Sequence, residues 1–255
     1  MPRRGRGAIL ALVAAAVVAV PAATARPTAR ITVFAAASLT RILPQIDSSP
    51  RYEFGGSNAL ALQIQQGAPA DVYVSANPKY VAQLRSQKLL AGSPVYFAAD
   101  KLVLMVPSSN PAHIRTPADL LRPGVRLVLA AVGVPAGDYA RKSLHGMGLD
   151  GALANVVSNE PDVEGVVAKL ALGEADAGFA YLSDARAVGS KVKLVPLPPA
   201  GRFVAIDGAG VVAGSSNATA ARAFVARLLA PAAQKKLRAA GFDPVPARVR
   251  RAVAP

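Results

Sequence analysis

Short apolar runs alternate along the chain with longer stretches whose apolar residues recur at helical spacing. Runs such as Ile31–Ala36, Asp71–Val74 and Arg126–Ala130 are rich in β-forming residues and predict buried strands. Asn58–Gln66 and Val163–Leu172 place apolar residues three and four apart and are each followed by a glycine, which predicts helices that stop there. This alternation predicts an α/β chain with mostly parallel sheets.

Four further segments bear on how the chain is organised. Leu39–Ile46 is predicted as a brief helix weakened by Pro44. Val95–Ala98 and Lys101–Val106 are predicted as two paired strands, and Gly201–Ala213 as a long extended segment.

The first 25 residues have the three-part organisation of a secretory signal peptide. Met1–Gly7 carries three arginines and no acid, Ala8–Val20 is an apolar run of 13 residues, and Ala23-Thr24-Ala25 matches the small-residue cleavage pattern. The run is shorter than the roughly 20 residues of a membrane-spanning helix. We therefore expect export, cleavage after Ala25, and a location on the periplasmic or extracellular side of the membrane. An uncut segment acting as an anchor is the alternative.

Composition and charge narrow the functions open to the chain. Hydrophobic residues make up 52% of its 255 residues, which excludes general disorder. The absence of cysteine removes disulfides and thiolate chemistry, and two histidines, His113 and His145, are too few for a multi-histidine metal centre. The net charge of +14, or +11 without the three arginines of the signal segment, favours anionic partners. Export argues against nucleic acid as that partner.

Four positions place small or polar residues at the start of a predicted helix. Ser38 and Ser57 each follow a strand, and the segments Pro135-Ala136-Gly137 and Pro161-Asp162-Val163 open two later helices. A helix start presents unpaired N–H groups and a partial positive charge, which suits an anion. Each position alone is an ordinary helix cap. Together, at strand-to-helix turns, they favour an anion site.

Four segments resemble the periplasmic molybdate-binding subunit of ABC importers. In chain order they are Val33-Phe34-Ala35-Ala36-Ala37-Ser38-Leu39-Thr40, then Phe54-Gly55-Gly56-Ser57 with Gly67-Ala68-Pro69-Ala70-Asp71-Val72-Tyr73-Val74-Ser75-Ala76, then Val134-Pro135-Ala136-Gly137-Asp138-Tyr139-Ala140, and finally Asp162-Val163 with Gly178-Phe179-Ala180-Tyr181-Leu182-Ser183-Asp184-Ala185. Their order and spacing hold from about Ile31 to Phe242. The four together are a strong signal, although the first alone is only moderately specific.

The resemblance implies the fold and the site. The expected fold is the α/β, two-lobed periplasmic-binding-protein fold of type II, with a ligand cleft between lobes joined by crossing strands. After a signal peptide at 1–25, residues 26–106 begin lobe 1, 107–200 form lobe 2, and 201–255 cross back to lobe 1. The residues carried over as binding the oxyanion are Ser38, Ser57, Ala136, Val163 and Tyr181.

The implied function is capture of molybdate, and of tungstate as well, for an ABC importer. The partners are the oxyanion and a membrane permease driven by a separate ATPase, and the protein is expected to be a monomer peripheral to the membrane. Because a tetrahedral dianion only accepts hydrogen bonds, neutral donors suffice, and lysine and arginine are expected mainly outside the cleft. No catalytic residue and no cofactor are expected, and molybdenum is met only within its oxyanion. The chain has no Walker motif G-x-x-x-x-G-K-[ST].

Three other functions stay open at this point. The same fold would suit sulfate or another tetrahedral oxyanion. A secreted serine hydrolase would use Ser57 with His113 or His145, but Gly55-Gly56-Ser57-Asn58-Ala59 lacks the second glycine of the G-x-S-x-G elbow. A basic protein associated with acidic wall polymers would explain the charge without any dedicated motif.

Overall fold

The computed structural model describes residues 30–247 and 249. The predicted signal segment and most of the basic tail therefore lie outside the described residues. Nine strands are described: β1 (Thr32–Ala36), β2 (Arg51–Gly55), β3 (Val72–Ser75), β4 (Val95–Pro107), β5 (Leu127–Ala130), β6 (Val156–Glu160), β7 (Ala177–Tyr181), β8 (Val192–Val195) and β9 (Val204–Val211). Eight α-helices accompany them: α1 (Leu43–Ile46), α2 (Ser57–Gln65), α3 (Pro78–Ser86), α4 (Pro135–Gly146), α5 (Val163–Ala171), α6 (Leu182–Val188), α7 (Ala218–Leu229) and α8 (Pro231–Ala240).

The strands form two lobes that share one long strand. Their order is β2-β1-β3-β9-β4-β7-β5-β6, and β8 also pairs with β4. The first half of β4 pairs with β9 as far as Lys101, and its second half pairs with β7 from Leu102 and with β8 from Leu104. The two-lobed α/β fold expected from the resemblance is confirmed. The predicted lobe boundaries at 106/107 and 200/201 stay a prediction.

Each lobe has its own apolar core, set by the alternation of side chains along the strands. In lobe 1, Val33 and Ala35 of β1 face α7 and α8, while Phe34 faces α2 and α3 on the other side of the sheet. In lobe 2 a single core gathers strands β5 and β7 with helices α4 and α5. Because helices pack densely against the sheet in each lobe, the strand ends are held in fixed positions. The short turns that follow the strands are therefore fixed as well.

Several details of the predicted elements were wrong. Half of the strand pairings are antiparallel, since β4 and β9 cross between the lobes, so the sheets are not mostly parallel. The two paired strands predicted at Val95–Ala98 and Lys101–Val106 are one strand, because Ala99 and Asp100 between them pair with Ile206 and Ala205 of β9. The helix predicted at 39–46 is a 3₁₀ turn followed by the short α1.

The break before α1 has a simple cause. Pro44 has no N–H to donate, so it fits only the first turn of a helix, and α1 begins at Leu43. Strands β6 and β8 were not predicted, because both are short and mix exposed with buried residues. Within the described residues, no helix is long and apolar enough to cross a membrane.

Candidate functional site

A small cavity lies between the two lobes, at the ends of strands and the starts of helices. Its lining comes from both lobes: Ala36, Ala37, Ser38, Gly55, Gly56, Ser57, Ala76, Val134, Pro135, Ala136, Asp162, Val163 and Tyr181. All five residues predicted to bind an anion are in this set, and each is at most 8% exposed. The structure therefore brings together positions that are up to 143 residues apart in sequence.

The lobe 1 wall comes from two neighbouring turns. Strands β1 and β2 are parallel and in register, with Ala36 opposite Gly55, so both end at the same edge of the sheet. A 3₁₀ turn carrying Ser38 follows β1, and α2 begins at Ser57 directly after β2. No side chain caps the start of α2, and the first N–H groups of a helix have no partner within the helix itself.

The lobe 2 wall comes from the starts of α4 and α5. The start of α4 has no side-chain cap, and Pro135 occupies the first turn, where its missing N–H costs nothing. A side chain at Gly137 would lie 2.2 Å from the Ala130 carbonyl oxygen, so glycine lets α4 sit directly on β5 and fixes Ala136. At α5 the Asp162 carboxylate accepts from Gly165 N at 3.2 Å, which leaves the Val163 N–H free.

Two buried hydroxyl groups complete the donor set. The Ser57 Oγ atom accepts a hydrogen bond from Ala76 N at 3.1 Å, so its proton remains available to donate. The Tyr181 hydroxyl has no hydrogen-bond partner in the described chain, although the residue is only 1% exposed. A buried unpaired hydroxyl costs free energy unless a ligand pairs with it. The cavity therefore has the chemistry of a site for a group that accepts hydrogen bonds.

Two tyrosines that the sequence did not single out hold the site together. The Tyr73 hydroxyl donates to the Ser57 carbonyl oxygen at 2.7 Å and fixes the first residue of α2. The Tyr80 hydroxyl donates to the Gly133 carbonyl oxygen and so ties lobe 1 to the turn before α4. Neither tyrosine is marked by a local sequence pattern, because each donates to a backbone carbonyl oxygen that only the fold brings close to it.

The two lobes are closed on each other around the cavity. A methyl group at Gly56 would lie 2.7 Å from the Pro161 carbonyl oxygen of the opposite lobe. At the rim, Arg41 of lobe 1 forms an ion pair with Glu164 of lobe 2 at 3.2 Å. A ligand held by donors from both walls is thus enclosed in this arrangement.

The cavity wall carries little charge of its own. Among the described residues that line it there is no lysine or arginine, and the carboxylate of Asp162 is engaged in capping α5. Burial, with neighbouring Tyr139 and acidic groups, raises the pKa of the Tyr181 phenol well above its ordinary value. That phenol is therefore a protonated donor at physiological pH.

Three buried carboxyl groups lie behind Tyr181 and were not predicted. Burial raises the pKa of Asp100 to about 7, even though hydrogen bonds from Ser183 lower it. Burial, followed by repulsion from Asp100, raises the pKa of Asp184 and of Asp207 well above the usual carboxyl range. Nothing in the sequence pattern around these residues distinguishes them from surface acids.

The structure does not assemble the groups of a serine hydrolase. His113 lies in an exposed loop, and His145 is exposed with its ring 3.1 Å from Asp150. Neither histidine lines the cavity that contains Ser57. Within the described residues, no group of three or more histidine, aspartate or glutamate side chains is arranged to hold a metal ion.

Comparisons with known proteins show the family to which the chain belongs. Residues 18–243 match the family described as bacterial extracellular solute-binding proteins. The chain belongs to that family. This solute-binding protein is 37% identical over 231 residues to the molybdate-binding protein ModA of Mycobacterium tuberculosis (strain H37Rv), with 87% of each chain covered. It is 34% identical over 233 residues to ModA of Escherichia coli (strain K12), covering 84% of this chain and 88% of that relative.

Solved structures show the same fold. The periplasmic molybdate-binding protein of Azotobacter vinelandii aligns with a TM-score of 0.73 at 23% identity, covering 84% of this solute-binding protein and 99% of that chain. The sulfate-binding protein SubI of Mycobacterium tuberculosis H37Rv aligns with a TM-score of 0.67 at 23% identity, covering 88% of this chain and 89% of that one.

Proposed function

We propose that this solute-binding protein captures molybdate, and equally tungstate, outside the cytoplasm and passes it to an ABC importer. The observation that carries the proposal is the interlobe cavity, whose described wall presents helix starts and the unpaired Tyr181 hydroxyl without a lysine or arginine. Relatives that share more than a third of its sequence over most of their length are named molybdate-binding proteins. The donor groups of the cavity and the names of these relatives both favour a tetrahedral oxyanion as the transported ligand.

The proposed binding mode uses five residues from two lobes. Ser38 and Ser57 donate from hydroxyl and backbone N–H groups of lobe 1, and Ala136 and Val163 donate from backbone N–H groups of lobe 2. The Tyr181 phenol completes the set. Each hydrogen bond to a charged acceptor contributes roughly 1.5–3 kcal/mol, so a set of about seven offsets the desolvation of the dianion. The partial positive charge at the helix starts adds to this.

Transport follows from closure of the lobes. Donors on opposite walls reach one small anion only when the cleft is closed, so the anion favours the closed form. The two crossing strands, β4 and β9, are where the lobes rotate relative to each other. The closed, loaded protein then meets a membrane permease that is driven by a separate ATPase. We propose that it works as a monomer after removal of the signal segment at Ala25, and that it catalyses no reaction.

Sulfate is the second candidate, because a sulfate-binding protein shares the fold. The fixed donors of a closed cavity favour the anion whose oxygens reach both walls, and sulfate is smaller than molybdate. We therefore expect molybdate and tungstate to be bound alike and sulfate much more weakly.

A thermal-unfolding panel with molybdate, tungstate, sulfate and phosphate tests this order. An anion present at about 100 times its Kd stabilises the folded protein by roughly 2.7 kcal/mol, which shifts the melting temperature by several degrees. The expected result is a large shift with molybdate and with tungstate and a small one with sulfate and phosphate. A larger shift with sulfate would make sulfate the cargo, and no shift with any of the four would contradict the proposal.

A further inference from the structure

Three carboxyl groups are buried together where the chain crosses between the lobes. Asp100 lies on β4, Asp184 on α6 and Asp207 on β9, and their residues are 2%, 2% and 1% exposed. None of them forms an ion pair within the part of the chain that the structure describes. A charged carboxylate in such a place costs several kcal/mol, so these positions require an explanation.

The hydrogen bonds of the cluster are incomplete if all three groups are carboxylates. Asp184 accepts from Tyr181 N at 3.0 Å, and Asp100 accepts from Ser183 N at 3.4 Å. The Oδ2 atoms of Asp100 and Asp207 have no partner in the described chain. A carboxylate can only accept, whereas a carboxylic acid also donates, so protons shared within the cluster would supply the missing donors.

The position of the cluster ties it to the anion cavity. On the paired strands, Asp207 is opposite Ala98 and Asp100 is opposite Ala205, so the two acids stand two positions apart on one face. Asp184 caps the helix that begins directly after Tyr181. Asp207 is also close enough to Tyr139 and Tyr181 to influence the ionisation of both phenols. The cluster is thus the wall behind the phenol that faces the cavity.

We propose that Asp100, Asp184 and Asp207 act as positioning residues that share protons behind the Tyr181 hydroxyl, so that uptake of the dianion is accompanied by uptake of protons. This inference rests on the proposed function. While the three carboxyl groups are protonated, they place no negative charge behind the Tyr181 hydroxyl and the cavity. When the cluster loses a proton, its charge repels the dianion across a short, buried distance.

The other ionisable groups that face the cluster do not change the direction in which affinity is expected to depend on pH. They are Tyr139 of α4 and Tyr181, which are neutral, Glu164 of α5 and Arg41, which pair with each other, and Asp243, which pairs with Lys101 at 2.8 Å. The burial that raises the pKa of Asp100 to about 7 places its titration near neutrality. By linkage, binding of a dianion raises that pKa further, so protons are taken up near pH 7 and affinity falls as pH rises.

Titration calorimetry of the whole mature protein with molybdate measures the linked protons directly. Runs at neutral pH in buffers of different ionisation enthalpy give the number of protons taken up per anion. We expect uptake of a measurable fraction of a proton. Across roughly pH 6 to 9, Kd should weaken by about tenfold for each unit by which binding raises the pKa of the cluster. Both oxyanions stay fully deprotonated over that range.

Asp100→Asn tests the role of the cluster, because Asp100 is the group whose titration lies near neutrality and asparagine imitates its neutral acid. The variant is expected to bind like the wild type at the acidic end of the range and to show a flatter dependence of Kd on pH. Asp71→Asn is the control, since Asp71 is a buried acid of lobe 1 bonded to Thr32 N, Ser215 and Asn217, and it should leave the pH profile unchanged.

Wild-type binding with no proton uptake and a Kd independent of pH would overturn the inference while leaving the proposed function intact. If Asp100→Asn fails to fold, the wild-type proton count alone decides. Absence of any binding heat with molybdate would instead refute the proposed function, and this inference with it.

Discussion

Gly56→Ala is expected to weaken molybdate binding by about 10- to 100-fold without lowering the stability of the unliganded protein. Gly56 has φ of −61° and ψ of 131°, which alanine adopts without strain. Its new methyl group would lie 2.7 Å from the Pro161 carbonyl oxygen, and that oxygen belongs to the other lobe. The clash with this backbone oxygen exists only when the lobes close, whereas the other close atom, Asn58 Oδ1 at 2.8 Å, ends a side chain of the same lobe that can turn aside. An overpacked contact costs roughly 1–3 kcal/mol.

The neighbouring glycine supplies a matched control for this variant. A methyl group at Gly55 would meet only Leu60 of its own lobe, at an ordinary contact distance of 3.7 Å. Gly55→Ala should therefore keep the wild-type Kd in titration calorimetry, while Gly56→Ala loses affinity and keeps its melting temperature. Equal affinities for the two variants would contradict the description of the closed lobes.

Tyr181→Phe is expected to weaken binding by about 10- to 100-fold and, at the same time, to stabilise the unliganded protein or leave its stability unchanged. The lost hydrogen bond to a charged acceptor is worth roughly 1.5–3 kcal/mol. No other group of the described chain pairs with this hydroxyl, so removing it breaks no hydrogen bond within the protein itself. A binding residue is distinguished from a structural one by these opposite effects on affinity and stability.

Tyr52→Phe should show the reverse pattern. The Tyr52 hydroxyl donates to the carbonyl oxygens of Asp47 and Leu43, and none of these three residues lines the cavity. Its loss should lower the melting temperature and leave Kd unchanged. If Tyr181→Phe behaved like Tyr52→Phe, the phenol would be a structural group and not part of the binding site.

The sequence was sufficient to predict four of the five candidate donor positions because each lies at a helix start with a local signature, whereas Tyr181 was predicted from the resemblance alone. Ser38 and Ser57 follow apolar strands, and Pro135 and Pro161 stand next to helix starts, so strand-to-helix turns are visible in a single sequence. At these turns, the positions carried over from the molybdate-binding family are the same as those that the chemistry of helix starts favours for an anion. The two-lobed fold was predicted from the resemblance of the four segments, since the local pattern alone predicted only an α/β chain.

Contacts made between distant segments could not be predicted in the same way. The bond from Tyr80 to Gly133 joins positions 53 residues apart, and no local pattern marks either one. The burial of Asp100 and Asp207 depends on β4 and β9 crossing between the lobes as continuous strands. Because Ala99 and Asp100 were left between two predicted strands, the crossing strand was divided in two and its buried acid was missed.

A crystal structure of the protein with bound molybdate tests the central claim most directly. The account predicts one anion in the interlobe cavity, with its oxygens within hydrogen-bond distance of donors from Ser38, Ser57, Ala136, Val163 and Tyr181, and no cationic side chain on it. An arginine or lysine bonded to the anion, or an anion bound elsewhere with this cavity empty, would contradict it.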